Sequence, residues 1–362
     1  MKAAICHAFD QPLSVEDVTL DAPQSGEVKV RLAATAICHS DVHLIRGDWA
    51  GTLPVVAGHE AAGIVDEVGP NVTLTKPGDR VVVSLLRSCG RCFHCTTGAP
   101  HNCEGSFALD RESRLRNARG ESLSPGIRVG AFAEAVVVDQ SQVVRIPEQI
   151  PFDCAALLGC GVITGVGAVL NTARVEVGES VVIIGAGGVG LNAVQGAVLA
   201  GARPIVAIDR IDSKLTAATS FGATDVFNAA AMEPRDLLRA VRKLTGRGAD
   251  YAFVTVGAPE ALAQAQLMIR HGGTVVAVGM PALKATAALR MFDIVWSEQR
   301  VLGSRMGGTR LHVDVPRLVD LYLRGRLQLD ALVSRRYPLA QINEAIAGVE
   351  SGEALRNVVV FE

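Results

Sequence analysis

The chain has 362 residues, of which 49% are hydrophobic, and its formal net charge at pH 7 is -2. This length predicts about two domains, and the near-neutral charge with scattered basic residues argues against a partnership with nucleic acid or an anionic membrane. Neither a signal-like segment nor an uninterrupted apolar run of about 18 residues is found, so a soluble cytoplasmic protein is expected.

The N-terminal part of the chain is rich in short runs of valine and isoleucine, among them VKVRLAA, AAGIVDEVG, RVVVSLL and AEAVVVD. Runs of this kind, separated by turns that contain glycine and proline, are typical of short β-strands. They predict a β-rich domain built as a partly closed barrel or a sandwich.

Four cysteines fall within one short segment of this part: Cys89, Cys92, Cys95 and Cys103. A disulfide staple, a redox pair and a metal cage could each explain such a segment. A reducing compartment disfavours stable disulfides, and three thiols at i+3 spacings with a fourth close behind fit tetrahedral coordination. We therefore expect a structural zinc in a lobe at residues 88–104, with reduced metal-free thiols as the alternative.

Beyond residue 160, strand-like runs alternate with helical segments. The strand-like runs are SVVIIG, PIVAID, DVFN, YAFVTV and TVVAVG, and the helical segments are GVGLNAVQGAVLAGA, SKLTAATSFGA, PRDLLRAVRKL and EALAQAQLMIR. This alternation predicts an α/β unit, a parallel sheet with helices on both faces. Near the C-terminus VPRLVDLYLRG predicts a helix and NVVVFE a closing strand. The parallel-sheet domain is therefore expected to interrupt the β-rich one.

The strand-like run SVVIIG leads into Gly185-Ala186-Gly187-Gly188-Val189-Gly190, which matches G-x-G-x-x-G. A position after a strand and before a helix is the context of the dinucleotide fingerprint. Gly185 then allows a tight turn, Gly187 the approach of a pyrophosphate, and Gly190 close packing of the helix. Asp209 ends the next strand, where a carboxylate favours NAD over NADP, a preference that Arg210 weakens. A turn without ligand is the alternative.

A second pattern consists of Cys38-His39-Ser40-Asp41, Gly58-His59-Glu60 and Gly159-Cys160-Gly161. Singly, such cysteines are most often small buried apolar residues. Together with the four-cysteine lobe, the glycine-rich turn and the ending Leu355-Arg356-Asn357, they resemble the medium-chain zinc-dependent alcohol dehydrogenases over essentially the whole chain. The resemblance implies a β-rich GroES-like catalytic domain at 1–161 and 306–362, and a Rossmann-type dinucleotide-binding domain at 162–305.

The same resemblance implies a catalytic zinc bound by Cys38, His59 and Cys160. Two thiolates and one imidazole leave a fourth position open for water or substrate, as in other catalytic zinc sites with this ligand set.

Four further residues receive catalytic roles from the resemblance. The family's match to Ser40 takes the alcohol proton, and its match to His43 passes that proton to solvent. The matches to Asp41 and Glu60 lie close to the metal, and the former orients the ligand histidine.

Cofactor and substrate contacts are implied in the same way. The cofactor contacts match the turn residues Gly185, Gly187, Gly188, Val189 and Gly190, the pair Asp209 and Arg210, and the separate positions His39, Thr164, Lys214, Val278 and Arg356. Many family members carry an arginine at the position of His39. The positions that line the pocket match Trp49, Leu85 and Met306, which are all apolar and favour an uncharged hydrophobic alcohol.

These features predict an NAD-dependent enzyme with two Zn²⁺ per chain that reversibly oxidises a hydrophobic primary alcohol, such as an aromatic or terpenoid one, to the aldehyde. A secondary-alcohol or polyol dehydrogenase is the alternative, and a non-catalytic protein that binds NAD and zinc is a less favoured one. The related quinone reductases lack the catalytic ligand set that this chain has. We expect a small-molecule alcohol or aldehyde as partner, and a homodimer or homotetramer.

Overall fold

The structure, a computed structural model, describes residues 1–352 and 354–361. Its contacts divide the chain into two compact units, Met1–Gly161 with Arg310–Glu362 and Val162–Thr309. The first unit is thus built from both ends of the chain, and the second from its middle. Within the described residues, none of the helices has the length and apolar character needed to cross a membrane.

The strands in chain order are β1 (Lys2–Ile5), β2 (Ser14–Leu20), β3 (Glu27–Ala36), β4 (Val55–Val56), β5 (Glu60–Val68), β6 (Arg80–Val83), β7 (Leu115–Asn117), β8 (Ser124–Pro125), β9 (Ala135–Asp139), β10 (Val143–Arg145), β11 (Val181–Ile184), β12 (Ile205–Asp209), β13 (Asp225–Asn228), β14 (Ala249–Val254), β15 (Ile269–Ala277), β16 (Arg300–Gly303), β17 (Val333–Tyr337) and β18 (Arg356–Val360). The α-helices are α1 (His39–Arg46), α2 (Phe93–Thr96), α3 (Phe152–Leu157), α4 (Gly161–Gly167), α5 (Gly188–Ala200), α6 (Asp212–Ser220), α7 (Pro234–Thr245), α8 (Pro259–Met268), α9 (Met291–Trp296), α10 (Leu311–Leu323) and α11 (Ile342–Glu350). A π-helical turn follows α4 at Ala168–Ala173. Short 3₁₀ turns lie at Pro100–Asn102, Ala108–Asp110, Gly126–Arg128, Gln140–Gln142, Arg305–Gly308, Asp330–Leu332 and Leu339–Gln341.

The main sheet of the first unit has the strand order β10-β6-β5-β3-β18-β17, and β9 also pairs with β3. Strand β3 runs antiparallel to both β5 and β18, with Ala36 opposite Glu60 on one side and Val358 on the other. This register places the end of β3 beside the starts of β5 and β18. Residues that follow β3 or open its two neighbours are therefore brought close together.

Alternation of side chains along β3 builds part of this unit's core. Val28, Val30 and Leu32 are buried, whereas Arg31 between them is exposed. The buried side chains pack with valines of neighbouring strands. Covering each such side chain contributes about 1.5–3 kcal/mol, and this fixes the register because a slip of one residue would expose the whole set.

The second unit contains a parallel sheet of order β13-β12-β11-β14-β15-β16. Its central strand, β11, is the run Val-Val-Ile-Ile and is buried throughout, as expected for a strand covered on both faces. Strands β12 and β14 flank β11, so the strand order reverses at its carboxyl end. In doubly wound sheets this is the point where ligands bind, and the glycine-rich turn leaves β11 there.

Several predicted elements end a few residues earlier in the structure than the sequence pattern indicated, and specific contacts explain two of them. The strand predicted from RVVVSLL stops at Val83, because the amide of Ser84 donates to Gln142 O and its hydroxyl to Gly159 O at 2.7 Å. The helix predicted from EALAQAQLMIR stops at Met268, because Ile269 pairs with Ala249 and begins β15. In both cases a contact between distant residues overrides the local pattern.

Candidate active site

Four potential metal ligands meet in the first unit. Cys38 follows β3, His59 and Glu60 lie at the start of β5, and Cys160 follows α3, which packs against both strands. One ligand atom from each residue lies within 4.8 Å of the others, and all four residues are buried. The fold thus brings together Cys38, His59 and Cys160, the set that the resemblance implied, with Glu60, which the resemblance placed close by.

A buried carboxylate orders this cluster. The Asp41 side chain accepts at Oδ1 from His59 Nδ1 (2.8 Å) and from the Gly58 amide (2.9 Å). Its Oδ2 accepts from the Cys38 amide at 3.1 Å. Asp41 therefore fastens the segment of Cys38 to the segment of His59, and it holds the imidazole as the tautomer with a proton on Nδ1.

The second ring nitrogen of His59 is left for a ligand. His59 Nε2 is buried and makes no hydrogen bond to any residue that the structure describes, although the Cys38 sulfur is near enough to act on its charge. A buried polar atom of this kind is costly unless a partner satisfies it. Two sulfurs and an imidazole nitrogen are a donor set that zinc prefers, so these residues fit a zinc ion.

The charges of the cluster reflect how closely its members interact. A hydrogen bond from Cys160 holds the pKa of Cys38 well below its usual value, against the effect of burial. That contact and burial raise the pKa of Cys160 well above its usual value. Burial opposes a charge on His59, but Asp41 and Cys38 raise its pKa well above the ordinary value. A cation at the centre would compete with these protons, because metal ligands bind in their deprotonated forms.

Glu60 and Arg356 form a buried ion pair beside the sulfurs. Burial raises the pKa of Glu60 to about 7, although the Arg356 guanidinium opposes this. Glu60 Oε1 accepts from Arg356 in a short contact, and its Oε2 accepts from the Gly161 amide at 3.1 Å. Burial disfavours the charge on Arg356, but Glu60 and Cys38 raise its pKa and keep the guanidinium charged. Arg356, which the resemblance made a cofactor contact, is thus engaged with Glu60; its cofactor role stays a prediction.

The four cysteines of the lobe also converge, with their sulfurs within 4.8 Å of one another. Cys89 N and Gly105 N each donate to the Cys103 sulfur at 3.2 Å, and Cys92 N donates to the Cys89 sulfur at 3.4 Å. Backbone donors lower the pKa of Cys92 to about 6, since hydrogen bonds to a thiolate favour the charged form. All four thiols are free of disulfides. The set suits a closed, structural zinc site.

The glycine-rich turn of the second unit is held from both sides. The Ala186 amide donates to Asp209 Oδ2 at 2.7 Å, and the Thr255 hydroxyl donates to Gly185 O at 2.7 Å. Asp209 Oδ1 also accepts from the amides of Arg210 and Ile211. Asp209 therefore fixes the turn besides presenting a carboxylate at the strand end.

Three glycines of this turn each have a distinct reason to lack a side chain. Gly185 has φ of +98°, which L residues rarely adopt, and a Cβ on Gly190 would lie 1.8 Å from Gly185 O. A Cβ on Gly187, by contrast, would meet none of the described residues within 4 Å, and its φ of -77° suits any residue. Gly187, which precedes the helix, has no side chain with which to cap it. Free space beside Gly187 and the N–H groups of a helix N-terminus fit a pyrophosphate.

The remaining predicted site residues of the first unit lie on or next to α1, apart from Leu85. His39 is exposed and Ser40 and His43 are half-buried on that helix. Trp49 stacks on the His43 ring with centroids 5.3 Å apart, and Leu85 is half-buried beyond β6.

In the second unit, Thr164 and Met306 lie together, with the Thr164 hydroxyl 3.7 Å from the Met306 sulfur. Met306 has φ of +49°, which lies in the left-handed region of backbone conformation. Residues with a bulky side chain seldom adopt this conformation because it is strained. Val278 is buried after β15, Lys214 is half-buried on α6, and Arg210 is exposed.

Sequence reasoning missed three contributors. These are the partnership of Arg356 with Glu60, the hydroxyl of Thr255 on the nucleotide turn, and Asp48, which contacts His43. The first two join residues far apart in the chain and leave no local signal. The third had one, because Gly47-Asp48 directly follows the helical segment and predicts a helix end.

Comparisons with known proteins agree with this geometry. Residues 24–148 match the family described as alcohol dehydrogenase GroES-like domain, and residues 188–324 match the family described as zinc-binding dehydrogenase. The chain is 37% identical to the NDMA-dependent alcohol dehydrogenase of Amycolatopsis methanolica over 99% of its length and 98% of the relative's.

Two solved structures are similar over the whole chain. One is an alcohol dehydrogenase zinc-binding domain protein from Burkholderia ambifaria, with a TM-score of 0.94 and 36% identity over 100% of this chain and 98% of that one. The other is the benzyl alcohol dehydrogenase of Acinetobacter calcoaceticus, with a TM-score of 0.92 and 31% identity over 100% and 99%.

Proposed function

Because the chain belongs to the medium-chain zinc-dependent alcohol dehydrogenases, we propose that it reversibly oxidises hydrophobic primary alcohols to aldehydes with NAD⁺ as the hydride acceptor. The observation that carries this proposal is the buried set of Cys38, His59 and Cys160, in which His59 Nε2 has no partner among the described residues. Bound there, zinc would act as a Lewis acid that lowers the pKa of an alcohol.

The residues around this set would position ligands and move a proton. Asp41 holds the His59 ring with Nε2 free and steadies the Cys38 segment. Ser40, two residues after Cys38, would accept the hydroxyl proton of the alcohol while it releases its own hydroxyl proton toward His43, and His43 would pass a proton to water. The positive charge of Arg356 offsets the negative charge of Glu60. The carboxylate therefore adds no uncompensated negative charge to those of the two cysteine thiolates.

The glycine-rich turn and Asp209 support NAD as the cofactor. The turn would hold the pyrophosphate at the α5 N-terminus, and Asp209 would accept from the ribose hydroxyls and repel a 2'-phosphate. NAD⁺ carries the redox chemistry, and the protein orients and binds it. We also propose two zinc ions per chain, one for each cluster. A reducing compartment such as the cytoplasm suits eight cysteines, all among the described residues, none of which forms a disulfide.

Apolar side chains at the predicted pocket positions favour hydrophobic alcohols as substrates. Trp49, Leu85 and Met306 offer no charge or hydrogen-bonding carboxylate to a polyol. The structural likeness to a benzyl alcohol dehydrogenase adds weight to an aromatic alcohol.

A substrate panel tests this proposal. Purified protein is given benzyl alcohol, geraniol, hexanol, cyclohexanol or sorbitol with NAD⁺ or NADP⁺, and reduced cofactor is followed by absorbance. We expect kcat/KM for benzyl alcohol with NAD⁺ to exceed that for sorbitol by at least about 100-fold, which corresponds to about 2.7 kcal/mol. A preference for sorbitol, cyclohexanol or NADP⁺ would contradict the proposal. Turnover with NDMA but not with NAD⁺ would show that free NAD⁺ is not the acceptor.

We further propose that the protein is a homo-oligomer built through an apolar surface of its second unit. All four residues of β16 are exposed at the open edge of the sheet. The edge surface consists of the exposed apolar side chains in residues 280–302, namely Met280, Leu283, Met291, Phe292, Val295, Trp296, Val301 and Leu302. The exposed areas of these side chains sum to on the order of 1,000 Å². This exceeds the roughly 800 Å² of surface that each partner buries in a stable interface. A second copy, with its β16 antiparallel to the first, would cover it.

Replacing Leu302 with lysine is expected to dissociate this oligomer. A charge at a paired strand edge must lose its water, so we expect the dissociation constant to rise on the order of 100-fold or more. Analytical ultracentrifugation measures the change, and Val177→Lys, at a site 85% exposed and outside the edge surface, serves as control. A monomeric wild type, or an oligomer unchanged by Leu302→Lys, would refute the interface.

A further inference from the structure

The turn at the end of α1 places Asp48 against His43. The proposed proton path does not by itself require this contact. The helix ends at Arg46, and Gly47 takes up the left-handed conformation with φ of +80°. The Gly47 amide donates to Leu44 O at 3.2 Å and the Asp48 amide to His43 O at 3.0 Å. These two bonds make a Schellman motif. A Cβ on Gly47 would also press on the Phe9 ring at 3.0 Å, so the turn depends on glycine.

This turn brings the Asp48 carboxylate back onto the helix. Asp48 Oδ2 lies 2.7 Å from His43 Nδ1, and the side chains are 44% and 27% exposed. The next residue, Trp49, stacks on the same ring at 5.3 Å with an interplanar angle of 25°. The imidazole is therefore held at one nitrogen by a carboxylate and against one face by an indole.

We propose that Asp48 is a positioning residue that fixes His43 as the tautomer with its proton on Nδ1 and its lone pair on Nε2. A carboxylate can only accept, so a short contact to Nδ1 places a proton on that atom. His43 then takes a proton at Nε2 and releases it from the same atom to water, while Nδ1–H stays with Asp48. The inference rests on the proposed function, in which His43 carries the alcohol proton.

The alternative is a surface ion pair that only closes the helix end. Two other carboxylates already serve that end, because Arg46 pairs with both Asp10 and Glu350. Neither of these pairs involves the His43 ring. Asp10→Ala is therefore a matched control, which removes a carboxylate from the same helix end and leaves the contact between Asp48 and His43 intact.

The tautomer of His43 is read by ¹⁵N NMR of histidine-labelled protein, with the His43 signal assigned from its absence in His43→Gln. We expect the Nδ1–H tautomer in the wild type and in Asp10→Ala. Asp48→Ala should shift the ring toward the Nε2–H form, which imidazoles prefer in water. Asp48→Asn keeps an acceptor of the same shape and should restore much of the wild-type signal. Asp48→Leu, which has no acceptor but fills more of the space, replaces Asp48→Ala if that variant fails to fold.

Kinetics supply the second readout. We expect Asp48→Ala to lower kcat for benzyl alcohol about 10-fold while KM for alcohol and NAD⁺ changes less than about two-fold, and Asp10→Ala to leave both unchanged. An Nε2–H tautomer in the wild type, or a tautomer unmoved in the Asp48 variant that lacks an acceptor, would overturn the inference, as would unchanged kcat in that variant. If the wild type oxidises no alcohol, the proposed function fails, and the proposed role of Asp48 in proton transfer falls with it; the NMR result still decides separately whether Asp48 sets the tautomer.

Discussion

Replacing Cys38 with serine is expected to lower alcohol oxidation by at least about 1,000-fold, or about 4 kcal/mol of transition-state stabilisation, while the protein stays folded. Cys38 would supply one of three ligands to the catalytic zinc, and a hydroxyl is a much weaker zinc donor than a thiolate. Serine has nearly the shape of cysteine, so the buried packing is preserved. The measurement is kcat/KM for benzyl alcohol together with the thermal unfolding midpoint.

Cys154→Ser is the matched control for this variant. Cys154 is also fully buried in the first unit, and its sulfur donates to Asp330 at 3.5 Å, a contact that a serine hydroxyl can replace. It lies outside both thiol clusters. We expect it to retain activity, whereas Cys38→Ser with activity within about 10-fold of the wild type would remove the basis for a catalytic metal at this site.

The second large effect is expected at Gly187. Alanine there should raise the dissociation constant of NADH on the order of 100-fold, because the new methyl group would stand where the pyrophosphate approaches. Since that space is empty of described residues and φ of Gly187 is -77°, the protein should unfold within a few degrees of the wild type. Fluorescence titration with NADH gives the affinity, and calorimetry gives the unfolding temperature.

Gly190→Ala provides the contrast for this prediction. Its methyl group would lie 1.8 Å from Gly185 O, so the helix must move and the protein should lose several kcal/mol of stability. If Gly187→Ala instead unfolds like Gly190→Ala, Gly187 is needed for packing. If Gly187→Ala binds NADH normally, the pyrophosphate is not at this turn.

The sequence predicted the second unit well because its signals are local. Buried runs such as Val181–Ile184 and the glycine-rich turn after it identify a parallel sheet and its ligand end without knowledge of distant contacts. The end of α8 was misplaced because the pairing of Ile269 with Ala249 is decided by the sheet, and no local pattern records it.

The proposed catalytic zinc site, by contrast, was accessible only through resemblance to a family. Cys38, His59 and Cys160 are separated by long stretches of chain, and no periodicity brings them together. The register of Ala36 with Glu60 and the packing of α3 on β3 and β5 do so. The ion pair between Arg356 and Glu60 joins residues 296 positions apart, and it could not have been anticipated from either motif alone.

Zinc content tests most directly whether Cys38, His59 and Cys160 hold a catalytic metal separate from the four-cysteine lobe. Protein purified without chelator is analysed by mass spectrometry for zinc and by X-ray absorption at the zinc edge. We expect two zinc ions per chain in the wild type, one for each cluster, with sulfur and nitrogen ligands. In Cys38→Ser we expect one ion with sulfur ligands alone. One ion or none in the wild type, or equal zinc content in the two proteins, would contradict this expectation.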